Sequence, residues 1–239
     1  MASRYNYSLT TFSQKGGLTQ IEYAMNAVSK GGLSVGIKTD SGVVIASEKK
    51  KQTPMIVQSS VEKIFAVSPS IGMAYSGLGP DARVLLDSIR KTVQKHKMLY
   101  GGQEPSPVDL VQDIAETMQE YTQRGGVRPF GVSVLIAGID CETKEPMLYQ
   151  ADPSGSYTPW KACALGNNSE KITTLLEKRL RPDMDIEDAV HLAIKALKDG
   201  FDGEITDDNI EIGIVSAADR FRKLDAEEIK DHLENIAQN

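Results

Sequence analysis

Histidine and cysteine, two residue types that often bind metals, are few in this sequence. Three histidines, His96, His191 and His232, lie far apart along the chain, and Cys141 and Cys163 form no Cys-x-x-Cys motif. Metal-binding motifs usually place two ligands within a few residues of each other. The spacing therefore predicts no metal site and no cofactor, with packing or surface roles for the histidines. Two isolated cysteines are typical of a protein in a reducing compartment.

A short basic run, Lys49-Lys50-Lys51, directly follows an apolar segment. Charge blocks of this kind usually form solvated loops, although contact with a partner is the alternative. The formal net charge of the chain is −6. A nucleic-acid-binding protein would instead favour a basic face, so a nucleic-acid partner is not expected.

The composition is that of a soluble globular protein, with 40% apolar and 25% charged residues among 239. No apolar stretch approaches the roughly 20 residues that span a bilayer, and the first residues lack a basic segment followed by an apolar core. We therefore expect no membrane contact and a location in the cytoplasm or nucleus. No linker divides the chain, which predicts one domain over residues 1–239.

Apolar residues spaced three and four apart predict helices that each bury one face. In the first, the stripe is Leu18, Ile21, Met25 and Val28, and the helix ends at Gly31-Gly32. Further helices are expected from Pro80, from Ser106 to Gly125, near Glu170–Leu180, near Ile186–Lys198 and from Asp225. In the helix that follows Pro80, the inward stripe is Val84, Leu85, Ile89 and Val93.

Alternating or short continuous apolar runs between turn residues predict strands. They are Leu33–Ile37, Val43–Ala46, Lys63–Val67, Ile71–Tyr75, Val132–Ile139, Met147–Ala151, Ser156–Ala164 and Ile210–Val215. Strands joined by tight turns pair antiparallel, and helices that come in pairs favour layers that cover sheets. The pattern predicts an α+β fold in four layers, αββα, with two antiparallel sheets between helix layers.

The segment from Tyr5 to Ala27 closely resembles the N-terminal signature of proteasome alpha subunits. In that family an aromatic residue leads to Phe-Ser-Pro-x-Gly and then to Gln-apolar-acidic-Tyr-Ala. This chain matches at Phe12, Ser13, Gly16 and Gln20 to Ala24, and departs at Gln14 (usually Pro) and Gly17 (usually basic). Similar blocks follow at Ser76–Arg83, Gln119–Gln123, Gly125–Ser133 and Asp152–Gly155, so the resemblance covers nearly the whole chain.

This resemblance implies the fold of the N-terminal nucleophile hydrolases, with residues 1–32 as a gate tail and helix and 33–239 as the sandwich. Enzymes of this fold expose a Thr, Ser or Cys by cleavage after a Gly. Here the equivalent point is Gly31-Gly32-Leu33, and Ser34 lies one residue further on. The only Gly followed by such a residue is Gly155, before Ser156 in a predicted turn. No catalytic residue is therefore expected.

Lys63 resembles the active-site lysine of the catalytic relatives. In alpha subunits the matching lysine lines a pocket between neighbouring subunits, with Gly31 and Leu78 at the matching positions. There it meets the C-terminal carboxylate of a regulatory ATPase or activator. An ammonium group is a compact charge suited to one carboxylate. An ordinary lysine at a strand edge, and a core leucine for Leu78, are the alternatives.

The resemblance also assigns gate positions near the ring pore, at Tyr5, Asn6, Tyr7, Gln14 and Tyr23. Some alpha subunits have Tyr-Asp-Arg at the first three, so this chain lacks both charged partners of that cluster. Without Pro at position 14, the turn before the helix is expected to be less rigid. A simple disordered terminus is the alternative.

The implied function is that of a non-catalytic alpha-ring subunit of the 20S core particle. The implied partners are other alpha subunits in a seven-membered ring, beta subunits and regulator tails. Such a subunit gates substrate entry and docks regulators for ubiquitin-dependent and related protein degradation. Two other hypotheses stay open: an autoprocessed hydrolase of the same fold, and a free-standing binding or assembly module.

Overall fold

The computed structural model describes residues 9–50, 53, 55–57, 60–201, 203 and 205–238, and the side chains of all of these except 237 and 238. Within these residues two antiparallel five-stranded sheets lie face to face. The first has the order β10-β9-β2-β1-β8 and the second β3-β4-β5-β6-β7. The strands are β1 Ser34–Lys38, β2 Gly42–Glu48, β3 Ile64–Ser68, β4 Ile71–Gly77, β5 Val132–Ile139, β6 Pro146–Ala151, β7 Tyr157–Pro159, β8 Ala162–Leu165, β9 Ile210–Ser216 and β10 Arg222–Lys223.

Helices cover the outer face of each sheet, and one further helix, α1 Thr19–Ser29, lies outside these two layers. The other helices are α2 Gly79–Leu99, α3 Pro107–Gln123, α4 Ser169–Arg179, α5 Ile186–Gly200 and α6 Ala226–Gln238. Helices α4, α5 and α6 pack on the first sheet, and α2 and α3 pack on the second. The α+β class and the four-layer αββα arrangement predicted from the sequence are confirmed.

The layers follow from the alternation of side chains along each strand. In β2, Val44 and Ala46 face the helices, while Val43 and Ile45 face the opposite sheet. In β5, Val134 and Ile136 face the helices, while residues 135, 137 and 139 face the opposite sheet. Because both faces of these strands are buried, their sequences are almost continuously apolar.

The predicted strand Ser156–Ala164 is wrong, because the chain changes sheets within it. β7 pairs with β6 in the second sheet, and β8 pairs with β1 in the first. The crossing lies between Pro159 and Ala162. Pro159 has no N–H to donate to a ladder, which suits the end of an edge strand. At the crossing, Trp160 N donates to Leu148 O at 2.8 Å and Lys38 N donates to Lys161 O at 2.8 Å.

Two other predictions need correction. Val84 does not face inward: it is 57% exposed on α2, whose buried face uses Leu85, Leu86 and Ile89 instead. In α1 the buried residues are Ala24 and Val28, whereas Met25 is exposed. The short strand β10 was not predicted, since two residues are too few to show a period.

Candidate functional site

Lys63 lies where the two sheets meet, immediately before β3. Its backbone N and that of Ile64 donate to Glu211 Oε2 on β9, at 2.8 and 2.9 Å. Glu211 Oε1 lies 3.4 Å from Lys49 Nζ. One carboxylate of the first sheet therefore fastens the start of a strand in the second sheet, and this fixes the backbone from which the Lys63 side chain extends.

The Lys63 ammonium group lies over an aromatic ring rather than in open solvent. Its Nζ is 4.1 Å from the centroid of the Tyr75 ring, a cation–π distance. Burial lowers the pKa of Lys63, and the charges of Glu48 and Glu211 oppose this shift without cancelling it. The group is thus a partly dehydrated cation, for which an additional anion is a favourable neighbour.

Gly32 occupies the position beside the Lys63 side chain. A Cβ atom at Gly32 would lie 3.7 Å from Lys63 Cε and 3.7 Å from Glu48 Oε2. Leu33 is buried in the core under α5, with its backbone N donating to Glu48 Oε2 at 3.1 Å. Ser34 Oγ contacts Ser47 Oγ at 2.7 Å and donates to Tyr75 O at 3.0 Å. The position that borders both Lys63 and Glu48 therefore belongs to a glycine, which has no side chain.

The other two predicted pocket residues lie on the same edge of the molecule. A Cβ atom at Gly31 would be 2.3 Å from Gly77 N and 2.5 Å from Ser76 Oγ, so the backbones approach closely. Ser76 Oγ donates to Gly32 O at 2.9 Å and joins the same segments. Leu78 follows Gly77 directly and is 44% exposed, which contradicts the alternative of a core leucine. The structure thus brings Gly31 to the segment that carries Leu78, and Gly32 to Lys63.

The sequence did not reveal the group that holds Leu78. Leu78 N donates to Gly131 O at 2.9 Å, and Gly131 N donates to Asp81 Oδ2 at 2.9 Å. Arg128 donates to both Asp81 oxygens, at 2.6 and 2.8 Å. Burial would raise the pKa of Asp81, but the hydrogen bonds from Arg128 and Gly131 and the charge of Arg128 bring it below its usual value. From the sequence, Asp81 was expected only to be a residue of the first turn of the helix that follows Pro80.

A closed turn precedes α1. Gly16 N donates to Ser13 O at 2.9 Å, Ser13 N donates to Gly17 O at 2.8 Å, and Gly17 N donates to Ser13 Oγ at 3.1 Å. Gln14 is exposed in this turn, and Gly16 has a φ of 79°, which favours glycine. Hydrogen bonds from Ser13 thus close the turn although Pro is not present at position 14.

Of the predicted gate residues, Tyr23 is 52% exposed on α1, and Tyr5, Asn6 and Tyr7 lie outside the described residues. Helix α1 packs through Ala24 and Val28 on the ends of β4 and β5. Tyr23 and Met25 are exposed on either side of this buried stripe. Part of the apolar surface of this helix is therefore open to another molecule. None of the described helices has the length and apolarity that a membrane crossing requires.

Family models that match this sequence identify the class of protein to which the fold belongs. Residues 28–215 match the family model described as proteasome subunit, and residues 5–27 match the model of the N-terminal signature of A-type proteasome subunits. The chain belongs to the proteasome subunit family, and the resemblance found in its sequence blocks is confirmed.

Individual relatives indicate which type of proteasome subunit the chain resembles. The chain is 53% identical over 234 residues to the alpha type-2 proteasome subunit of Drosophila melanogaster, covering 98% of each chain. It is 52% identical over 235 residues to the alpha type-2-A proteasome subunit of Arabidopsis thaliana, covering 98% of each in this case too. The blocks Tyr7–Ser13 and Asp152–Ala162 also look most like those of the alpha type-2 subunits. The chain is thus similar to alpha type-2 subunits over nearly its full length.

Proposed function

We propose that this chain is a non-catalytic subunit of the outer alpha ring of the 20S proteasome, in the cytoplasm and nucleus. It stacks on the beta ring, helps to close the substrate entrance and docks regulatory particles for ubiquitin-dependent and related protein degradation. The observation that carries this proposal is Gly32, which has no side chain at the position beside Lys63 and Glu48. The peptidase sites of the particle then belong to other subunits.

The absence of a nucleophile at this position argues against the autoprocessed hydrolase. A nucleophile needs an oxygen or sulfur atom within hydrogen-bond reach of the group that activates it. Gly32 offers neither. Leu33 is apolar, and Ser34 Oγ is buried in contacts with Ser47 and Tyr75. Lys63 and Glu48 consequently have no reacting group between them.

Lys63 instead binds an anion in this proposal. Its ammonium group lies over the Tyr75 ring and has a lowered pKa, and Leu78 is exposed just after β4, the strand that carries Tyr75. A peptide that ends in a carboxylate after an apolar residue fits this surface, because it supplies one negative charge and one apolar side chain. Gly32 lets its backbone approach Lys63 without a clash from a Cβ atom, whereas the missing Cβ of Gly31 lets the chain pack on Gly77.

The exposed surface of α1 is the proposed contact with neighbouring alpha subunits. Tyr23 and Met25 lie on this surface, on either side of the buried stripe, and the turn at Gln14 precedes the helix. A contact between different surfaces of successive copies closes into a ring when the rotation permits, and the family implies seven members. The residues before this turn then lie near the pore. Deletion of residues 1–10 should raise basal peptide hydrolysis by the assembled particle, and no change would mean that other subunits control closure.

The proposal is tested with Lys63→Ala in the assembled particle. The measurement compares the binding of an activator peptide that has a free C-terminal carboxylate with that of the same peptide amidated. Wild-type particles should prefer the carboxylate, and Lys63→Ala should weaken docking at this pocket and so reduce the preference. The matched control is Lys230→Ala, since Lys230 is an exposed lysine on α6. A preference unchanged in Lys63→Ala would exclude the carboxylate role.

Native mass spectrometry of the particle separates the three hypotheses. A complex of many related chains with this chain at full length supports the ring-subunit hypothesis. A chain that begins at Leu33 or Ser34 would support the autoprocessed hydrolase. A stable monomer at full length would support a free-standing binding module.

A further inference from the structure

Three metal-ligating side chains meet where α6 packs on α5. Glu187 and His191 are one helical turn apart on α5, and His232 is on α6. One ligand atom from each of the three lies within 4.8 Å of the other two. His232 Nδ1 and His191 Nε2 are 3.2 Å apart. The separation of 41 residues between the two histidines hid this cluster from the sequence pattern.

The distance between the two ring nitrogens is that of a tetrahedral zinc site. Zinc lies about 2.0–2.1 Å from imidazole nitrogens, so two nitrogens of one tetrahedral site are about 3.3 Å apart. The observed 3.2 Å between the two ring nitrogens matches this edge without movement of either helix. A hydrogen bond between neutral imidazoles would also give this distance, but it does not account for the Glu187 carboxylate that converges on the same point.

The surrounding charges favour a divalent cation. Glu187, Glu228 and Asp231 place negative charge around His232. Glu187 belongs to α5, and the other two belong to α6. The cluster is therefore surrounded by acidic groups from both helices.

We propose that Glu187, His191 and His232 bind one Zn²⁺ ion, with a water molecule or a group from a neighbouring molecule as fourth ligand. Two imidazoles and one carboxylate are a common zinc donor set, whereas calcium and magnesium prefer oxygen ligands alone. The ion links α6 to α5, beside the apolar contacts that Leu224 and Ile229 already make with the core. The proposal is independent of the ring-subunit function.

The test uses the full chain, purified with a tag that contains no histidine and stripped of metal with a chelator. Zinc alone is then titrated in competition with a chromophoric chelator, and cobalt replaces zinc to report the coordination number by its visible absorption. We expect one zinc per chain and the spectrum of four-coordinate cobalt. His191→Asn and His232→Asn should each weaken zinc binding at least about tenfold, and Glu187→Gln should do so as well.

Two matched controls separate the site from incidental binding. His96→Asn removes the remaining histidine, which packs on Tyr100 and contacts Gln103 O. Cys141→Ser removes the cysteine that is not fully buried. Both controls should keep one zinc per chain at unchanged affinity.

Thermal unfolding distinguishes the loss of a zinc ligand from misfolding of the variant. Glu187 is exposed, so Glu187→Gln without metal should unfold at the same temperature as the metal-free wild type. Zinc should raise the unfolding temperature of the wild type but not of this variant. The proposal is overturned if the wild type binds less than half an equivalent of zinc, or if Glu187→Gln or either histidine variant binds it as tightly as the wild type.

Discussion

The surface around Lys63 and the surface around α1 are neighbours, but they are built in opposite ways. Lys63 is held at its backbone by Glu211 and at its side chain by the Tyr75 ring, and Gly31 lies tightly against Gly77. Helix α1 instead leaves Tyr23 52% and Met25 40% exposed. The first surface is fixed by contacts within the chain, whereas the second leaves apolar side chains exposed. Substitutions should therefore affect stability at the first and assembly at the second.

The largest expected effect on stability is at Gly31. A Cβ atom there would lie 2.3 Å from Gly77 N, which is backbone and cannot rotate away. Gly31→Ala should lower the free energy of unfolding by about 3 kcal/mol, as overpacking of a rigid site does. The measurement is denaturant unfolding of the purified chain.

The control for this change is Gly125→Ala. A Cβ atom at Gly125 would have no atom within 4 Å, and Gly125 is exposed. This variant should differ from the wild type by no more than about 0.5 kcal/mol. Equal effects of the two substitutions would mean that the Lys63 surface is no more tightly built than an open turn.

A smaller loss is expected at Asp81, which fixes the segment that carries Leu78. Asp81→Asn removes the charged acceptor of the bonds from Arg128 and Gly131, and should cost about 2 kcal/mol near neutral pH. The pKa of Asp81 is lowered in the folded state, so its contribution is complete above the ordinary value near 3.8 and is lost as pH falls through the lower folded value. Denaturant unfolding of both chains from pH 7 to acid should show the difference shrinking. A difference independent of pH would exclude the charge as its cause.

The pH dependence of peptide docking tests the role of the Lys63 surface. Burial lowers the pKa of Lys63 from 10.5. As pH rises, Lys63 should therefore lose its charge, and the particle its affinity for a carboxylate peptide, at a lower pH than if the lysine were exposed. Burial also raises the pKa of Tyr75, so its phenol stays neutral over this range. Peptide titrations of the assembled particle between about pH 7 and 10 measure the decline, which should approach tenfold per pH unit above the folded pKa. Lys63→Arg should move the decline to higher pH, and an identical profile would contradict the assignment.

The smallest expected effect is at the turn before α1. Gln14 is the second residue of the Ser13–Gly16 turn, a position where Pro is favoured. Gln14→Pro should raise the free energy of unfolding by about 0.5 kcal/mol, chiefly because it restricts the unfolded chain. Lys15→Ala, a substitution at the next exposed residue, should have no such effect. A clear loss of stability in Gln14→Pro would show that this backbone does not have the φ that Pro requires.

Much of the fold and part of the site could be predicted from short-range patterns. Periods of two and of about 3.6 residues predicted seven strands and six helices close to their observed positions, because each element buries one face or both as a regular array. Sequence blocks indicated the family, and the glycines after α1 indicated that no nucleophile follows them. The error at Val84 arose where a helix offers more apolar residues than its buried face can use.

What the sequence by itself determined was most of the helices and strands, the family, and Lys63 as the lysine to examine. Only the tertiary structure decided which distant groups meet: Glu211 binds the backbone of Lys63 from 148 residues away, and His232 reaches His191 from 41 residues away. It also decided that the chain changes sheets between Pro159 and Ala162. Local periodicity reflects the burial of a face, whereas these contacts depend on how whole layers are stacked, and no spacing along the chain encodes that directly.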